Sequence, residues 1–62
     1  MITRYLMRDR DTGVLYKYTR YASGNITRKN LMTVAPAEKI TAEELTHAIE
    51  TNEIIHEYET EV

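Results

Sequence analysis

The stretch Ile40-Thr41-Ala42-Glu43-Glu44-Leu45-Thr46-His47-Ala48-Ile49-Glu50-Thr51-Asn52 carries the sharpest local signal in the chain. Thr41 followed by Glu44 spells a capping box. The Thr41 hydroxyl accepts from the backbone N–H three positions on, and the Glu44 carboxylate reaches back to the Thr41 N–H. Ile40 before the cap and Leu45 beyond it form a hydrophobic staple. Ala42, Leu45 and Ile49 then fall on one face, with Ala48 at its edge. Glu43 and Glu44 sit in the first turn, where the helix dipole favours negative charge. The reading is a helix over 42–51, closed by Asn52 in the left-handed conformation.

Beyond the helix the period changes to two. Ile54, His56, Tyr58, Thr60 and Val62 share one face, and Glu53, Ile55, Glu57, Glu59 and Glu61 the other. This is the pattern of a half-buried strand with an acidic outer face. At the other end, residues 2–8 read as a strand whose two faces are both mixed, so its orientation stays open. Asp9-Arg10-Asp11-Thr12-Gly13 is a turn, in which aspartate caps local N–H groups and Gly13 supplies a positive φ. Residues 14–21 are β-branched and aromatic, so 2–21 is a β-hairpin. Ser23-Gly24-Asn25 marks another turn. Residues 26–34 form a weaker third strand, ended by Pro36, which cannot donate to a ladder.

The fold class expected is therefore α+β: a single domain over 1–62 with a small, mostly antiparallel sheet in the order β-β-β-α-β and one helix packed on one face. Sixty-two residues without a cysteine have neither a disulfide framework nor a thiolate zinc site. A chain this short buries only about 60% of its unfolded surface. Binding to a partner, or a homodimer through an edge strand, is the natural substitute for a larger core. No apolar run approaches the roughly 20 residues of a membrane span, and nothing near Met1 resembles a secretory signal. The expectation is a cytoplasmic protein with no membrane association.

Conventional catalytic patterns are missing. There is no phosphate-cradling glycine loop and no nucleophile elbow. His47, with Glu43 and Glu50 nearby, reads as part of a solvated helix face, and His56 as a hydrogen-bonded residue at the edge of the core. No catalytic residue, cofactor or metal site is expected, and the chain reads as a non-enzyme.

Charge is unevenly distributed. The net charge is −2, yet residues 1–30 carry +5 and residues 31–62 carry −7. Glu53, Glu57, Glu59 and Glu61 form a row with a repeat of about 6.8 Å along a strand, comparable with successive phosphates on one DNA strand. Such a row could pair with the arginines of the hairpin, keep an exposed edge from aggregating, or mimic nucleic acid toward a protein. Tyr16 and Tyr18 share one strand face and are either core aromatics or a contact surface. Together with Arg4, Arg8, Lys17, Arg20 and Arg28 they suggest an alternative, in which tyrosines stack bases and cations meet phosphates. The acidic pI of about 5.6 weighs against that alternative.

The strand–strand–helix–strand order, the Asp11-Thr12-Gly13 hairpin with Tyr16 and Tyr18 behind it, and Glu53-Ile54-Ile55 entering the last strand resemble the short uracil-DNA glycosylase inhibitors of phages. The resemblance is one of shape. It leaves 22–40 without a counterpart and transfers no functional residue. The functional expectation is a small, non-catalytic protein-interaction module, of the kind found among phage or mobile-element accessory proteins. It would bind and modulate a protein partner by occlusion or acidic mimicry, using Glu53, Glu57, Glu59, Glu61, Tyr16 and Tyr18. The alternative is a nucleic-acid-binding module built on the basic N-terminal hairpin.

Overall fold

The structure is a computed structural model, and residues 1–61 are described. Five strands and one helix follow in the order β1 (Ile2–Arg8), β2 (Leu15–Arg20), β3 (Ile26–Asn30), β4 (Glu38–Ile40), α1 (Ala42–Thr51) and β5 (Glu53–Thr60). All strands join one antiparallel sheet with spatial order β4-β3-β2-β1-β5. The α+β class, the antiparallel sheet and the single helix agree with the sequence reading.

The hairpin forms for the local reasons its residues suggest. Asp9 Oδ1 accepts from the N–H groups of Asp11 and Thr12 at 2.8 and 3.0 Å, and Gly13 takes φ +76°. These bonds favour the charged carboxylate and hold the Asp9 pKa below its ordinary value. Helix α1 begins on the expected box. Thr41 Oγ1 accepts from Glu44 N–H at 3.2 Å, and Glu44 Oε1 accepts from Thr41 N–H at 3.5 Å.

Directly opposed residues of an antiparallel pair project to the same face, so the register sorts the whole sheet. Thr3, Tyr5 and Met7 of β1 stand opposite Arg20, Tyr18 and Tyr16 of β2. Those in turn stand opposite Ile26, Arg28 and Asn30 of β3. Ile26 then faces Ile40, and Arg28 faces Glu38. Helix α1 lies against this face through Leu45 and Ala48, and the buried core comprises Tyr5, Met7, Tyr18, Ile26, Ile40, Leu45 and Ala48. The mixed faces of β1 are thereby resolved: Thr3, Tyr5 and Met7 point to the core.

Four local expectations are corrected. The third strand ends at Asn30 rather than reaching residue 34, because Asn30 Oδ1 accepts from the Met32 N–H at 2.8 Å and turns the chain. Leu31, Met32 and Val34 are exposed. A further three-residue strand, β4, precedes the helix, so Ile40 serves both as staple and as strand partner of Ile26. Asn52 caps the helix in an extended conformation, φ −98° and ψ 162°. Strand β5 starts at the next residue, so the chain must leave the helix extended.

The fourth correction concerns β5. Its register pairs Thr60, Tyr58 and His56 with Ile2, Arg4 and Leu6, and Glu59 and Glu57 with Thr3 and Tyr5. Tyr58, His56 and Thr60 therefore project to the face away from the helix, and Glu57 and Glu59 to the helix side. Because β5 is the sheet edge and α1 does not extend over it, most of the strand is exposed on both faces. The half-buried pattern expected for it does not occur.

Candidate interaction face

The face opposite α1 is covered by no described element. Register places two rows of side chains across it. One runs Tyr58, Arg4, Thr19, Thr27, Lys39 from β5 to β4. The other runs His56, Leu6, Lys17, Lys29. Each row begins with an aromatic ring at the β5 edge and ends on a lysine. A third, shorter row holds Glu53, Arg8 and Leu15.

Among the described residues the open face thus collects Arg4, Arg8, Lys17, Lys29 and Lys39 against a single carboxylate, Glu53. Arg8 and Glu53 neutralise each other, with Arg8 Nη2 donating to Glu53 Oε1 at 2.5 Å. Among the described residues the other four cations make no ion pair. Their aliphatic stems can lie on the apolar floor of Ile2, Leu6 and Leu15 while their charges stay in water. Thr19, a short residue ringed by longer ones, is only 2% exposed. At the β5 edge the His56 and Tyr58 rings are stacked, with centroids 4.9 Å apart and planes 28° apart. Tyr58 remains 38% exposed.

The acidic residues collect elsewhere. Glu57 and Glu59 project to the helix side of the β5 edge, while Glu43, Glu44 and Glu50 are exposed on α1. The lopsided linear charge therefore becomes a lopsided molecule, with most cations on the bare sheet face and most carboxylates on the helix side. Neither half of the chain does this alone, since Lys39 comes from the acidic half.

The residues marked from sequence fall into different places. Tyr18 is 3% exposed in the core, so it offers no surface to a partner. Tyr16 packs against that core beside it, the ring centroids 6.2 Å apart. Tyr18 therefore acts as a core aromatic, which corrects the contact surface suggested for it, while Tyr16 is half-buried at the border of the helix-side groove. Glu53 belongs to the open face, paired with Arg8. Glu57 and Glu59 lie on the other side of the sheet, and Glu61 follows the end of β5, so the four glutamates do not form one continuous row.

Of the basic set, Arg4, Arg8 and Lys17 meet on the open face. Arg20 and Arg28 belong to the helix side, which corrects their grouping with the other three. Arg28 is bound to Glu38 across β3 and β4, with its guanidinium carbon 5.6 Å from the Tyr16 ring centroid. Its hydrogen bond to Glu38 raises the Arg28 pKa. Burial raises the Tyr18 pKa, and the nearby Arg28 guanidinium partly offsets the rise.

Lys29, Lys39, His56 and Tyr58 are the members of the open face that sequence reasoning did not mark for binding. His56, which the sequence pattern places at the core edge, is instead exposed on the open face. The missing information was register, which requires knowing which strands are neighbours.

A concavity lies on the helix side, an open groove of about 570 Å3 bordered by Tyr16, Arg28, His47, Glu44 and Asn52. It mixes both signs of charge and presents no focused set of reactive groups. Among the described residues no cluster of three or more His, Asp or Glu is placed to hold a metal ion, and no helix is long and apolar enough to cross a membrane. No protein-family model, curated protein or solved structure matches the chain.

Proposed function

We propose that this chain is a non-catalytic interaction module that lays its uncovered sheet face on an anionic macromolecule. The observation supporting this reading is that four cations with no ion-pair partner among the described residues stand on one bare sheet face while most carboxylates stand on the other side. Lone cations on a solvated surface contribute little to folding stability. Gathered on one face, they create a field that attracts and orients an anionic partner. The action is occlusion: a flat face covers its target and leaves no room for a competitor.

The acidic-mimic reading makes the opposite assignment, with Glu57 and Glu59 as the contact and a basic partner. Charge reversal separates the two. Affinity capture from a cell lysate would be run with wild type, with Lys17→Glu plus Lys29→Glu, and with Glu57→Lys plus Glu59→Lys. The open-face reading requires the first variant to lose the partner and the second to keep it. The reverse pattern would transfer the function to the acidic edge.

A further inference from the structure

A phosphate chain needs cations spaced along a path, and an unpaired base needs a flat ring on which to lie. The open face supplies both in order. Strands β1, β2, β3 and β4 each contribute one cation that makes no ion pair with another described residue: Arg4, Lys17, Lys29 and Lys39. Because the sheet order is β4-β3-β2-β1-β5, these four form a path running across the strands. With strands about 4.8 Å apart, the path from β5 to β4 is roughly 19 Å long. At its β5 end stands the stacked Tyr58–His56 pair.

We infer that the open face binds single-stranded nucleic acid, with phosphates on Arg4, Lys17, Lys29 and Lys39 and a base stacked on the Tyr58–His56 pair. This rests on the reading of the open face as an anion-binding surface and goes further by naming the polymer. Single strands are favoured over duplex because a base already paired and stacked in a helix cannot lie on a ring at a sheet edge. A flat sheet face also has no protruding helix or ribbon with which to enter a major groove. The glutamates on the helix side repel the phosphate chain and confine it to one face. Apolar Leu6, between His56 and Lys17 in its row, completes a floor that tolerates bases without reading them, so little sequence preference is expected.

Fluorescence anisotropy with a labelled mixed-sequence 12-mer tests the inference, using single-stranded DNA, single-stranded RNA and the matching DNA duplex at 50 and 200 mM salt. Both single strands should bind more tightly than the duplex. Tyr58→Ala should weaken single-strand binding roughly tenfold or more and leave its salt dependence unchanged, while Tyr58→Phe should retain binding. Lys17→Gln and Lys29→Gln should each lower the slope of log affinity against log salt by roughly 0.7. Thermal unfolding of each variant establishes that it is folded.

Equal affinity for duplex and single strand, together with indifference to Tyr58→Ala, overturns the inference and leaves an anion-binding face. Failure to bind any nucleic acid, with poly-glutamate captured in a Lys17- and Lys29-dependent way, also overturns it and directs the face to an acidic protein. If neither polymer binds at 50 mM salt, both this inference and the module reading fall.

Discussion

Glu53 stands opposite Arg8, its carboxylate 2.5 Å from the guanidinium, because β5 carries one residue more than β1. His56 pairs with Leu6, and the next β1 residue, Met7, pairs with Ile54, so Ile55 is left over as a bulge. Without the bulge, Ile55 would face Met7, Ile54 would face Arg8, and Glu53 would lose its partner. An isoleucine faces Met7 in either register, so what the extra residue adds is the Glu53 carboxylate beside Arg8 in place of Ile54, while the rest of β5 holds its register.

Deleting Ile55 should therefore preserve the fold, since Ile54 and His56 would become neighbours opposite Met7 and Leu6. Deleting Glu57 should not, because a slip of one residue moves side chains to the opposite face. Equilibrium unfolding monitored by circular dichroism should show a cooperative transition for the first deletion and a large stability loss for the second. Equal damage from both would refute the role given to the bulge. The Arg8–Glu53 pair itself is exposed, and a double-mutant cycle should return a coupling of no more than about 1 kcal/mol.

Thr41→Ala removes the acceptor for the Glu44 N–H and should destabilise the protein by about 1 kcal/mol. Thr41→Ser should restore most of the loss. Denaturant midpoints at constant m-value are the measurement. A threonine-to-alanine change without effect would mean that packing of Leu45 and Ala48 alone fixes the start of α1.

Asp9 provides a pH signature. Its folded pKa lies below the ordinary aspartate value because its carboxylate accepts two backbone N–H bonds in the hairpin turn. A depressed carboxyl pKa contributes stability that is present above the unfolded pKa and is lost as pH falls through the folded one. Stability should thus decline below the ordinary carboxylate range, and Asp9→Asn should remove this component of the decline. The comparison is of thermal midpoints for the two proteins from pH 6 down to pH 2. Parallel curves would show that the turn bonds do not discriminate between the charged and neutral carboxyl.

Met7 is fully buried, between Tyr16 on one side and Ile54 on the other in the sheet register. Met7→Ala should cost about 2–5 kcal/mol. In a chain of this size that approaches the whole of its stability, so the cooperative transition should be lost or shifted below room temperature. Val34→Ala, at a fully exposed loop position, should leave the midpoint nearly unchanged.

The sequence by itself determined the elements whose causes are local. The capping box at Thr41 and Glu44 fixes the start of α1, and the Asp9–Gly13 turn fixes the hairpin. Alternation and β-propensity mark most of β1, β2 and β5. What it could not determine were properties that depend on distant neighbours. Strand β4 has three residues, too few to show a period, and exists because Ile40 and Glu38 find Ile26 and Arg28 across the ladder. Asn52 is extended because a strand follows it directly. Read along the chain, Ile54, His56 and Tyr58 form one stripe, whereas the pairing of β1 with both β2 and β5 sends Tyr58 and His56 to the open side.

The candidate face follows the same rule. Lys39 is remote in sequence from Arg4, and only the β4-β3-β2-β1-β5 order places them in one row. Side-chain alternation is a local property and can be read along the chain. The choice of which parity faces the helix is made by the packing of Tyr5, Met7, Tyr18, Leu45 and Ala48 together, and that choice belongs to the tertiary structure.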